Sequence, residues 1–158
     1  MLGTFQQSNL RIEVDASEQQ IRDSLLRPDQ FRQWLAPQTF SAGLPEELHK
    51  GLIFSSWIGP ISIRHQVDMV EPNGLRLLMS QGVDGFHEWY WGDGWIQSSL
   101  EGVSLLPLNL GQTLSLLRLR LFCLAFGVLR VIFERVASAS LAAPVCRSML
   151  LCCLQLCQ

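Results

Sequence analysis

Few residues in this chain have side chains suited to acting on a small molecule, and they are scattered. His65 lies in the run IRHQVDM, Glu88 in FHEWYW, and five tryptophans (Trp34, Trp57, Trp89, Trp91 and Trp95) supply large rings with one polar N–H each. Histidine titrates near neutral pH, so His65, with Glu88 as a second group, could act as general acid and base. The plainer alternatives are a core histidine hydrogen-bonded among apolar neighbours and a solvent-facing carboxylate. The tryptophans fit simple packing, yet their rings and N–H groups also suit an apolar cavity with a few polar handles. No Ser-His-Asp, Cys-His or metal-ligand constellation can be assembled, and the glycines form no phosphate loop. Five cysteines (Cys123, Cys146, Cys152, Cys153 and Cys157) are odd in number, late, and without a C-x-x-C pair or a nearby histidine. They are expected to be reduced structural thiols, with no zinc site and no disulfide framework. No cofactor and no metal are called for.

These residues must be positioned by recognisable elements. Leu10, Ile12 and Val14 alternate with polar residues, which predicts a strand over 4–14. Ser17 with Gln20 three residues on is a capping-box pattern, opening a helix that Arg27-Pro28 stops; Pro28 can then open a second short helix, PDQFRQWL. From about Thr39 the pattern is that of strands: 51–58, 61–71, 75–81, 86–91 and 95–100, separated by turn residues. The Asp93-Gly94 turn predicts a hairpin pairing Trp91 with Ile96 and Trp89 with Ser98. Parity puts Ile63, His65, Val67 and Met69 on one face, with Arg64, Gln66 and Asp68 on the other. It also places Leu75, Leu77 and Met79 together, and His87, Trp89 and Trp91 opposite Phe86, Glu88 and Tyr90. Both sides of that last strand are aromatic, so parity does not choose the inward one.

Beyond Glu101 the leucines Leu110, Leu114, Leu117, Leu121 and Leu124, with Val128 and Ile132, recur at helical spacing. A helix over 113–143 with Thr113 as cap is expected; the competing reading is a strand over Thr113–Leu121. Its other side is also apolar, so the helix is expected to be packed on nearly all sides. Pro144 ends it, leaving a cysteine-rich tail, 144–158.

Composition narrows the class. The 158 residues suit one domain, and 48% hydrophobic with 16% charged excludes a disordered chain, a coiled coil and a nucleic-acid-binding arm. Charge is uneven: residues 1–104 carry seven Lys and Arg against thirteen Asp and Glu, whereas 105–158 carry five Arg against Glu134 alone. No secretory signal opens the chain and arginines interrupt every window long enough to span a membrane, so a cytoplasmic protein without a transmembrane segment is expected. Weak contact with a membrane surface stays open, because basic and apolar residues coexist in the last third.

The segments IEVDASEQQIRDSLLRPDQFRQWL (12–35) and GFHEWYWGDGWIQSSLEGVSLLPLNLG (85–111) resemble the START-like, or SRPBCC, superfamily, which includes polyketide cyclase/dehydrase and lipid-transport proteins. The resemblance runs over about residues 4–135, and its motifs report fold rather than reaction. It implies an α+β helix-grip fold in 1–143: a curved seven-stranded antiparallel sheet around a long C-terminal helix, with a cavity between them. Members hold sterols, lipids, polyketides or hormones there, and a minority catalyse cyclisation or dehydration. The first expectation is therefore binding of a hydrophobic small molecule, lined by Trp57, His65, Met79, Trp89 and Trp91. A cyclase/dehydrase-type enzyme using His65 and Glu88 is the second, and a module that contacts a membrane surface or a protein the third. No nucleic-acid partner is expected, and the oligomeric state is not legible.

Overall fold

The computed structural model describes residues 3–142, with side chains through Ala125. Of these, residues 3–124 belong to one compact unit and 125–142 to a second; the account below concerns the first. Within the described residues the order is β1 (Thr4–Glu13), α1 (Glu18–Leu26), α2 (Pro28–Trp34), β2 (Thr39–Phe40), β3 (Ile53–Ile58), β4 (Ile61–Glu71), β5 (Gly74–Gln81), β6 (Val83–Gly92), β7 (Trp95–Ser104) and α3 (Leu108–Ala142). The fold is α+β, and the strands form one antiparallel sheet in the order β1-β7-β6-β5-β4-β3-β2.

Local chemistry explains most boundaries. Ser17 caps α1 with both arms of the box in place: its hydroxyl accepts from Gln20 N, and Gln20 Oε1 accepts from Ser17 N at 2.9 Å. Pro28 occupies the first turn of α2, where its missing N–H costs nothing. The β6–β7 hairpin has the expected register, Trp91 opposite Ile96 and Trp89 opposite Ser98. Gly85 faces Gly102 across the same ladder. A Cβ on Gly85 would overlap the Glu101 carbonyl, and one on Gly102 would lie 2.7 Å from Asp84 O. The bare backbones can therefore approach where the sheet curves.

The last helix departs from expectation twice. It replaces the competing strand at Thr113–Leu121, but it begins at Leu108, five residues before Thr113. Side chains from the sheet hold that start: Gln6 Oε1 accepts from Leu108 N, Gln6 Nε2 donates to Leu106 O, both at 2.9 Å, and Ser104 Oγ accepts from Leu106 N. No capping residue next to the helix reveals this, because Gln6 lies about a hundred positions away in β1. The second departure is rotational. The buried face of α3 is Leu108, Gln112, Leu116, Leu119 and Cys123. The stripe Leu110, Leu114, Leu117, Leu121 and Leu124 is exposed, so the helix is not packed on nearly all sides.

The interior is divided. One cluster joins α1, α2, the middle of the sheet and the far part of the buried α3 face, including Ile21, Leu25, Trp34, Phe54, Trp89, Leu116 and Leu119. A second joins Ile63, Met79, Val83, Leu100 and Leu108. Cys123 is a buried free thiol. The remaining cysteines and the tail lie outside the described residues.

Candidate functional site: a cleft between sheet and helix

A cleft of about 380 Å3 lies between the two clusters and is lined by residues from both. Its walls are mostly apolar: Phe31, Trp34, Phe54, Leu77, Met79 and Trp89 among others. Its polar side chains are Gln38, His65, His87, Gln112, Ser115 and Arg118. A volume of this size with few polar groups is the usual make-up of a small-molecule site.

Of the five lining residues expected from sequence, His65, Met79 and Trp89 border the cleft. The other two do not. Trp57 follows the buried Ser56 in β3, so strand alternation turns it to the opposite face, where it is 38% exposed. Trp91 shares the inner face with Trp89 but is wholly buried in the first core cluster. Glu88 is on the outer face, 3.3 Å from Arg76, which also lies 3.7 Å from Asp68. His65 and Glu88 therefore stand on opposite sides of the sheet, which separates the proposed acid/base pair.

The structure instead brings a second histidine, His87, to the same cleft. His65 Nε2 is 2.8 Å from Ser56 Oγ, and Gln38 Nε2 donates to the same oxygen at 2.8 Å. His87 Nε2 is 2.8 Å from Ser98 Oγ. Gln112 Nε2, reaching in from α3, donates to Ser98 Oγ at 2.9 Å and to Ser98 O at 2.8 Å. The two arrangements are the same relay, an amide donating to a serine hydroxyl that touches an imidazole.

In each relay the serine hydroxyl accepts from the amide and lies within hydrogen-bonding distance of the imidazole Nε2, where the direction of the bond follows the ring's tautomer. Both rings are also held mechanically: Phe54 stacks on His65 at 4.8 Å, and Trp89 lies 4.5 Å from His87.

Burial keeps these imidazoles uncharged. Desolvation lowers the pKa of His65 to about 4. Desolvation, with a smaller contribution from His65, lowers that of His87 to about 3. His87 is only partly covered by protein atoms, and it borders the cleft. Two buried polar atoms here have no partner among the described residues: His65 Nδ1 and Gln112 Oε1. Both residues line the cleft.

A scan against protein-family models finds no match, and a search of curated protein sequences finds none. Solved structures do match. A protein of the dynemicin biosynthetic locus superposes with a TM-score of 0.57 at 18% identity, over 73% of this chain and 46% of that one. This chain thus spans about half of that protein's length. A Rhizobium loti protein gives a TM-score of 0.62 at 10% identity, over 77% of this chain and 99% of that one. The Aha1 dimer from Colwellia psychrerythraea gives 0.54 at 14% identity, over 72% and 92%. At such identities the likeness is one of fold alone, and it agrees with the helix-grip arrangement described above.

His87 and Gln112 are the site residues that sequence reading missed. Parity had placed His87 beside Trp89, but the aromatic residues on both faces of β6 hid which face is inward. Gln112 carried a usable signal: it is the one polar member of the alternative stripe Leu108, Gln112, Leu116, Leu119 and Cys123. Among the described residues no group of three or more His, Cys, Asp or Glu side chains could hold a metal ion. No described helix is long and apolar enough to cross a membrane.

Proposed function

We propose that this chain binds an apolar small molecule in the cleft between the sheet and α3. The observation that carries this reading is the cleft itself, with apolar walls and a volume in the range of ligand pockets. Burial of the ligand's apolar surface supplies the affinity, about 25 cal/mol per Å2 before entropy losses.

Cyclase/dehydrase-type catalysis is the less supported reading. It would have to use His65 and His87 rather than His65 and Glu88, and the Nε2 of each imidazole is already engaged by a serine hydroxyl. A nitrogen so engaged is poorly placed to remove a proton from carbon.

The test is native mass spectrometry of the purified protein, together with NMR titration using a fatty acid, a sterol and a naphthyl compound. A bound small molecule, or shifts confined to cleft residues, is the expected result. A protein that carries nothing and whose spectrum none of the three perturbs would sink the reading.

A further inference from the structure

Depth separates the polar groups of the cleft by charge. The deep ones are uncharged: Gln112, 2% exposed, donates to Ser98 O and Ser98 Oγ, and desolvation keeps His65 and His87 neutral at pH 7. On the opposite wall Gln38 Nε2 donates to Ser56 Oγ, and the same amide brings an acceptor oxygen that repels an anion. Arg118, exposed on α3, is the one charged residue among those lining the cleft.

Among the described residues Arg118 has no protein anion to pair with. The ion pairs there use Arg22, Arg27 and Arg76. Three and four positions away on its own helix stand Leu114, Ser115, Leu121 and Phe122, and no Asp or Glu occurs between Glu101 and Glu134. A guanidinium beside an apolar cavity, with no acid to neutralise it, can take a carboxylate from outside and hold it by two parallel N–H···O bonds.

The helix carries a path from the interior to that charge. Leu108, Gly111, Ser115 and Arg118 line the cleft and follow one another at three- and four-residue spacing, so the cleft runs along α3 for roughly 15 Å. The inner end is apolar, with Leu108 packed among Ile63, Met79, Val83 and Leu100. The two residues in the middle are small. A Cβ on Gly111 would meet no atom within 4 Å, and the Ser115 hydroxyl spends its proton on Gly111 O at 2.9 Å. This stretch offers room without demanding a polar partner, which suits hydrocarbon.

We propose that the ligand of this cleft is an amphipathic organic acid, its apolar body between the sheet and α3 and its carboxylate paired with Arg118 at the rim. This inference rests on the binding reading above and names the ligand's head group. A head left at the exposed rim avoids the cost of burying a charge, while the buried body supplies most of the affinity. The ion pair then acts chiefly as a selector of the head, because exposed pairs are weak.

The experiment titrates the protein and its Arg118→Gln and Arg118→Glu variants with dodecanoate, dodecanol and dodecyltrimethylammonium. These are one tail with three heads, each used below its micelle-forming concentration. Tryptophan fluorescence gives the affinities, and NMR shifts of cleft residues give the place. Arg118→Gln is expected to weaken dodecanoate about fivefold, the worth of one exposed ion pair, and to leave dodecanol unchanged. Arg118→Glu is expected to weaken dodecanoate further and to strengthen the cation. If a variant fails to fold, the Nε–H signal of Arg118 in the unsubstituted protein provides the same readout, moving with dodecanoate and not with dodecanol.

Dodecanoate affinity that is equal in all three proteins would overturn the inference while leaving the cleft a binding site. Equal losses of dodecanoate and dodecanol would overturn it too, since Arg118 would then act on the shape of the cleft and not on the head. Arg118-dependent cosedimentation with phosphatidylglycerol vesicles, without Arg118 dependence for monomeric dodecanoate, would overturn it in favour of a bilayer surface. No binding by any of the three probes, together with a blank result for the sterol and the naphthyl compound, would overturn the binding reading as well.

Discussion

The Ser98 hydroxyl lies 2.8 Å from His87 Nε2, at the point where the sheet, the last helix and the cleft meet. Gln112 of α3 donates to the same oxygen, so one serine hydroxyl ties an imidazole of the sheet to the last helix.

Replacing that serine tests the arrangement. Ser98→Ala should cost about 1–3 kcal/mol, because His87 Nε2 is left without a partner in a buried site. Urea denaturation measures the loss, and the imidazole nitrogen signals of His87 should shift. An unchanged midpoint with unmoved signals would mean the hydroxyl holds neither group.

The same burial sets a pH dependence. Both histidines bind protons less readily in the folded protein than in the unfolded chain, with pKa values of about 4 and about 3 against 6.5. Their contribution to stability is therefore complete above pH 6.5 and is lost as pH falls from there through the folded-state values. Between pH 6.5 and 5, before carboxylates enter, each should remove about 2 kcal/mol. Denaturation curves across that interval measure it, and His65→Phe should halve the slope. A flat profile would mean that both imidazoles are charged, or open to water, in the folded state.

Cys123 offers a check on how α3 seats against α1. Burial, partly opposed by a hydrogen bond with Ser24, raises its pKa to about 11, so at pH 8 it is a thiol and a poor nucleophile. In a variant with the other four cysteines changed to serine, native protein should resist alkylation on a timescale that labels the urea-unfolded chain fully. Rapid native labelling would show that this face of the helix is open.

The two faces of α3 should also answer differently to substitution. Leu116→Ala removes a fully buried side chain and should cost about 2–5 kcal/mol. Leu114→Gln, Leu117→Gln and Leu121→Gln replace exposed leucines, and each should change stability by no more than about 0.5 kcal/mol. The reverse ranking would restore the helix orientation that the sequence suggests.

That orientation shows where sequence reading stops. The capping box at Ser17, the break at Pro28 and the register of the Asp93-Gly94 hairpin are local, set by chemistry within a few residues, and each was readable. The facing of α3 is not local. Leucines occupy both sides, so periodicity finds two stripes and ranks the more uniform one first, while the buried one is marked by a single glutamine whose partner, Ser98, is fourteen residues away in β7. For the site, parity correctly put His65 and Met79 inward. It could not separate the faces of β6, and proximity in sequence to the aromatic cluster suggested Glu88 where spatial proximity supplies His87. Residue type alone points to Trp57, although its strand turns it away.

The division of the interior into two clusters has a further meaning for folding. Side chains that face a gap have no neighbour across it and forgo the dispersion contacts a filled core would supply. If a small molecule occupies the cleft as proposed, its binding would add to stability by an amount that grows with the logarithm of its concentration. In that case the chain is an unfinished core, and its melting temperature would serve as a gauge of how completely a guest finishes it.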